Sequence, residues 1–249
     1  MNQHYIKYFL FILVSIFLFR SDAGAHTCIF FMVSSTIKID STKHLILYMP
    51  KFSDIDLACE IRPDSNDRNL LFCAEAAFTG RCVDSFYHYN IAGDHFSHGV
   101  CYEGYDCNAN KGGFIYYKNH QWKFLEKEAY NLALRDTNSI QCSFEQGLLV
   151  YKGTIFRPYL MKPSRKEIYR TLCETADGQL VIATNKEKIP FEQFVNALIE
   201  EVHAKYALYM DMGDGWNYSW YRNEDGTFTN IFPQSKYTVY QTNWLIFKK

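Results

Sequence analysis

Residues 206–222 read YALYMDMGDGWNYSWYR, an apolar run that stops at a carboxylate, passes through two glycines and then presents a series of rings. Asp211 stands at the junction, with Asp214 close enough to share its role, and two acids so near one another can push one pKa upward. Gly213 and Gly215 permit backbone angles and close approaches that a Cβ forbids. Trp216, Tyr218, Trp220 and Tyr221 follow. Rings beside a carboxylate suit a sugar, whose apolar faces stack on aromatics while the acid meets hydroxyls or the anomeric centre. The plainer reading is an Asp that forms a turn with its own backbone and aromatics that fill a core. A calcium loop of the EF-hand kind is excluded, because Gly213 and Gly215 occupy the third and fifth positions, where oxygen ligands belong.

Glu145, in CSFEQGLLVYKG, precedes an apolar run and is a second candidate acid. GDHFSH places Asp94, His95 and His98 in a glycine-rich loop, and His95 beside Gly93 and Asp94 is the one taken for a substrate contact. Spacing specifies no third ligand for these histidines, so no metal and no cofactor is expected. No G-x-S-x-G elbow is present, which argues against a serine hydrolase.

The elements that must position these groups are clearest in the second half. QLVIAT (179–184) follows the Asp177-Gly178 turn and reads as a strand. Pro190 suits a first helical position, and Phe191, Phe194, Val195, Leu198, Ile199 and Val202 recur at helical spacing. YALYM then reads as a strand ending at Asp211. Strand, helix, strand in this order predicts a right-handed βαβ crossover between parallel strands, with Asp211 at the carboxyl end where ligands collect in such sheets. NLLFCAEAA (69–77) is a buried run, residues 90–113 read as loop, and GGFIYYKNHQWKFL reads as a hairpin turning at Lys118-Asn119-His120. The fold class expected is α+β: a mixed sheet with antiparallel hairpins, at least one crossover and helices packed on it.

In order and content these features resemble the phosphodiester glycosidase family, which removes N-acetylglucosamine from sugar phosphodiesters. CAEAAFTG (73–80) stands in the position of the family's first motif, NIAGDHFSHGVCYEG follows it, Tyr169-Arg170-Thr171 precedes the 179–184 strand, and LYMDMG (208–213) stands where the family has Leu-Asp-Gly-Gly. The resemblance runs from about Asp54 to Tyr221. It implies an exported hydrolase in which Asp211 acts as acid/base or stabilises an oxocarbenium ion, Arg170 holds phosphate bidentately, and Gly213 and Ser219 belong to the same site. A sugar 1-phosphodiester needs less acid assistance than an ordinary glycoside, because a phosphomonoester departs as a stabilised anion; one acid and one cation form a minimal set. Glu75 stands at the family's Asn and Met212 at its first Gly. These departures and the wealth of rings give the alternative: a catalytically silent carbohydrate-binding or cell-surface domain of the same fold, with Trp216 and Trp220 as platforms.

The 249 residues carry a formal charge of −1 without long basic or acidic blocks, so nucleic acid and anionic membrane are not expected partners; a glycan or sugar phosphate is. Tyr8 to Phe19 is almost wholly apolar and Ala23-Gly24-Ala25 is a small-x-small cleavage pattern. This predicts a signal peptide over residues 1–25, a single domain over 26–249, a secreted or periplasmic location and no span after cleavage, since the run is short of the roughly 20 residues a spanning helix needs. All eight cysteines follow that cut, which favours disulfides, Cys73 with Cys82 and Cys101 with Cys107 being local candidates. Asn217-Tyr218-Ser219 is an N-glycosylation sequon; a glycan there would block the site, which favours a bacterial exported protein. Oligomeric state is not legible.

Overall fold

A computed structural model describes residues 36–80, 85–157 and 165–249. Residues 1–25, read from the sequence as a signal peptide, lie outside the described residues, as do Cys28 and Cys82. No helix among the described residues is long and apolar enough to cross a membrane.

Three sheets dominate. The first has seven strands in the order Ile37–Ser41, Leu45–Pro50, Leu180–Asn185, Arg170–Thr175, Ala204–Met210, Leu148–Tyr151 and Thr154–Ile155. The second runs Phe228–Phe232, Ser219–Arg222, Leu70–Glu75, Asn243–Lys248 and Asp54–Cys59. The third runs Val100–Tyr102, His95–Ser97, Ile140–Gln146, Gly112–Tyr117 and Trp122–Glu126. Two α-helices, α1 (Lys127–Ala133) and α2 (Phe191–Glu200), are present among the described residues.

This corrects the expected α+β class with a βαβ crossover. The described chain is β-rich, and every strand pairing in the three sheets is antiparallel. The strands flanking α2, Leu180–Asn185 and Ala204–Met210, do not pair; Arg170–Thr175 lies between them and runs antiparallel to both. Local periodicity found the strand, the helix and the strand, but Arg170–Thr175, the hairpin partner that directly precedes Leu180–Asn185, took the place between them. Residues 90–113 are not all loop either: His95–Ser97 and Val100–Tyr102 form a short hairpin. The hairpin of 112–126 is present as expected, with Gly112–Tyr117 paired to Trp122–Glu126.

The period of two explains the layers. In Ala204–Met210, Leu208 and Met210 face a core shared by the three sheets, with Phe72, Phe144 and Phe247 among its members. Ala207 and Tyr209 face the other way, towards Phe194, Val195 and Leu198 of α2. Burying Phe194 and Leu198 fully contributes about 1.5–3 kcal/mol each. A third cluster packs Cys73, Trp220, Trp244 and Ile246 together.

No disulfide joins the six described cysteines, which are free thiols, so the Cys101–Cys107 pairing is corrected. Cys73, Cys142 and Cys173 are wholly buried among apolar side chains, where a thiol behaves as a small hydrophobe.

Candidate active site

Antiparallel register brings the candidate residues together. Arg170, first in its strand, lies opposite Met210, last in its neighbour, so Asp211 emerges beside the guanidinium. In the second sheet Glu75, last in its strand, pairs with Trp244, so that Asn243 sits just beyond it, and Ser219 begins the strand on the other side, opposite Ala74. The Asp211 amide donates to Ala76 O at 3.1 Å, joining the two sheet ends. Asp211 is therefore at a convergence of strand ends from two antiparallel sheets, and not at the carboxyl edge of a parallel one.

Arg170 is 1% exposed. Its Nη2 donates to Asp211 O at 2.8 Å and to Glu75 O at 3.4 Å, and Nη1 to Asn217 O at 3.3 Å. These donors are aimed at main chain, so in this geometry Arg170 positions three segments and supplies buried positive charge; it does not present a fork to phosphate. Burial lowers it to about 10, a fall that Glu75 and Asp211 oppose, and it stays charged at neutral pH.

Asp211 keeps 7% of its surface exposed. Burial raises its carboxyl to about 6, against the pull of the Gly213 amide, the Arg170 charge and the Met212 and Thr79 amides. The Gly213 N–H donates to Oδ1 at 2.9 Å. Since the folded state binds this proton more tightly than the unfolded chain does, the associated stability is present at low pH and lost as pH rises through about 6.

Glu75 lies beneath it and is wholly buried. Sequence reading placed it only as a departure from a family motif; the signal was a lone acid inside the apolar run NLLFCAEAA. Its Oε1 accepts from Thr79 Oγ1 at 3.2 Å, Asn243 Nδ2 at 3.2 Å and the Thr242 amide at 3.4 Å. Burial first, and the charge of Asp211 second, hold Glu75 well above the usual carboxylate range. Glu75 therefore holds its proton more tightly than an ordinary carboxyl, and Asp211, at about 6, is the acid that ionises more readily at neutral pH. Glu75→Gln, which preserves a neutral acceptor, is expected to change unfolding free energy and turnover by less than about 1.4 kcal/mol, or tenfold; chemical denaturation and steady-state rates at pH 7 check this.

The remaining candidates are distributed as follows. Gly215 has φ +93°, and a Cβ there would come within 2.4 Å of the Tyr237 Cβ. Gly215→Ala is expected to cost about 1–3 kcal/mol in a thermal or denaturant melt. Gly213 has an open site for a Cβ, with nothing nearer than 3.5 Å; its contribution is its amide. Met212 takes no positive φ, so a side chain fits where the resembled family has Gly. Asp214 is exposed. Trp216 is half-buried, its indole nitrogen without a hydrogen-bond partner. Ser219 is buried and donates to Asn217 O at 3.1 Å. Trp220 is wholly buried among Cys73, Trp244 and Ile246, which corrects its reading as a sugar platform: it is core.

Glu145 lies inside the strand Ile140–Gln146 and just ahead of the strand Leu148–Tyr151, as expected, and pairs with Lys127 while Asn110 donates to it at 3.4 Å. It belongs to a separate buried group. Asp94 is exposed and accepts from the Gly104 amide at 3.1 Å. His95 is fully buried, stacked near His88 and Tyr102, and held by burial at about 4. His98 turns away to Asp56.

No family model matches the chain, and no curated protein does. Among solved structures, the catalytic domain of zebrafish N-acetylglucosamine-1-phosphodiester alpha-N-acetylglucosaminidase, auto-inhibited by its pro-peptide, is similar with a TM-score of 0.56 and 12% identity, over 87% of this chain and 82% of that one. A hypothetical protein from Synechocystis gives a TM-score of 0.49 and 9% identity, over 86% of this chain and 62% of that one. The first likeness shows an architecture shared with that catalytic domain.

Proposed function

We propose that this chain is a glycoside hydrolase that cleaves the bond between a sugar and a phosphodiester oxygen, with Asp211 as the catalytic carboxylate. The observation that carries the reading is one partly accessible acid, raised to about 6, beside a buried guanidinium and a second, wholly buried carboxyl where two sheets converge. Water adds at the anomeric carbon, its proton passes to Asp211, and the bond to the bridging oxygen breaks to release a phosphomonoester. That leaving group is already a stabilised anion, so a site with one ionised acid is sufficient. The ordinary two-carboxylate requirement is relaxed.

The zebrafish enzyme's name supports the substrate class, as does the motif order around Glu75, Arg170 and Asp211. The Asn-to-Glu departure at Glu75 is softened by burial, which raises that carboxyl and disfavours its charged form. Arg170 serves as countercharge and brace. The experiment is release of free sugar from a panel of sugar 1-phosphodiesters by the purified protein. Turnover of at least one, with simple alkyl glycosides of the same sugar untouched, is the expected result; no release from any member would overturn the reading.

A further inference from the structure

We propose that Cys59, His88 and His95 form a binding site for a zinc-type transition-metal cation. The three come from unrelated segments: Cys59 ends the strand Asp54–Cys59, His88 opens the 3₁₀ turn His88–Asn90, and His95 begins His95–Ser97. Among the described residues, one ligand atom from each lies within 4.8 Å of the other two. Ordinary zinc bonds of about 2.0–2.3 Å to nitrogen and sulfur are reached from there by movements under about 1 Å.

The imidazoles are already oriented. His95 Nδ1 lies 3.1 Å from Gly93 O, so that nitrogen carries the proton and Nε2 presents a lone pair. A ligand histidine is fixed in just this way by a backbone carbonyl behind it. His95 Nε2 accepts from His88 Nδ1 at 3.0 Å; a cation between the two nitrogens replaces this hydrogen bond, with the His88 proton moving to its Nε2 so that the ring stays neutral. The His88 ring is held by Tyr102, stacked with centroids 3.4 Å apart and planes 6° from parallel, and by the edge of Phe86 at 4.9 Å. The donor set of two imidazoles and one thiolate suits zinc and disfavours magnesium or calcium, which take oxygen ligands. Binding displaces one proton, from the Cys59 thiol, and leaves a fourth position for water.

The location gives the cation a purpose. Cys59 pairs across the sheet with Asn243, whose Nδ2 donates to Glu75, and the Glu60 amide donates to Thr242 O. A metal here ties the His88 and His95 segments to the strand that carries the floor of the acid site. The inference is independent of the proposed hydrolysis.

The test is titration of the chelator-stripped, purified protein with Co2+ and then Zn2+. One equivalent of Co2+ is expected to give a thiolate-to-metal charge-transfer band that Zn2+ removes, and Zn2+ is expected to raise the melting temperature. Cys59→Ser should abolish the band, and Cys59→Ser and His88→Ala should each weaken Zn2+ binding by at least about 100-fold, while Cys101→Ser, a strand-edge thiol, keeps wild-type behaviour. Should Cys59→Ser fail to fold, His88→Ala, on a turn, decides. Absence of stoichiometric binding to wild type, or wild-type affinity in folded His88→Ala, overturns the proposal.

Discussion

Asp211→Asn is expected to lower turnover of a sugar 1-phosphodiester by about 10³- to 10⁴-fold, the upper part of what a positioned acid or base supplies, with little change in KM. The amide keeps the contact with the Gly213 N–H through its carbonyl oxygen but has no proton-accepting carboxylate. The fold should survive, because Glu75 lies within reach of the same Arg170 charge and can ionise to balance it. Asp211 is one of the charges that raise Glu75, so the variant should show a carboxyl with a lower pKa than wild-type Glu75, visible in carboxyl-selective NMR titration. In wild type, activity should fall as pH drops through about 6, where Asp211 takes up its proton. A variant of wild-type rate, or a wild-type profile flat across that range, contradicts the role.

The second large effect is expected at Arg170. Arg170→Met removes the side chain that donates to the carbonyls of Glu75, Asp211 and Asn217 together and leaves a buried carboxylate without countercharge. Breaking such an arrangement costs about 3–5 kcal/mol, to be read in denaturant unfolding at pH 7.5. The sign of the accompanying titration follows from the Arg170 charge, which lowers Asp211. Without it the Asp211 carboxyl rises above 6, so the acid limb of the rate profile shifts to higher pH and the stability deficit shrinks as pH falls. Loss of activity with no movement of that limb would instead fit a phosphate clamp.

Which parts of this were legible in the sequence follows from the range of the interactions involved. Helix α2 was legible because Phe191, Phe194 and Leu198 repeat at 3.6, a signal local to the helix. The strand ending at Met210 was legible for the same local reason. The direction of pairing was not: the insertion of Arg170–Thr175 between two strands 18 residues apart in the chain is decided by packing on both faces of the sheet. Asp211 and Arg170 were found through the junction in YALYMDMGDG and the motif order. Glu75 was visible as an acid in an apolar strand, but its raised pKa comes from burial first and from Asp211 second, 136 residues away, counted as 211 minus 75. Trp220 looked like a platform because an aromatic run has the same composition on a surface and in a core. The third ligand to His88 and His95 is Cys59, which no short spacing pattern contains.

Cleavage at this site is expected to break the sugar carbon–oxygen bond and leave the phosphorus–oxygen bond intact. Hydrolysis of a sugar 1-phosphodiester in ¹⁸O-labelled water, followed by mass spectrometry of both products, tests it most directly. The label is predicted in the anomeric hydroxyl of the released sugar, with an unlabelled phosphomonoester. Label in the phosphate would mean attack at phosphorus and a phosphodiesterase, and would contradict the account.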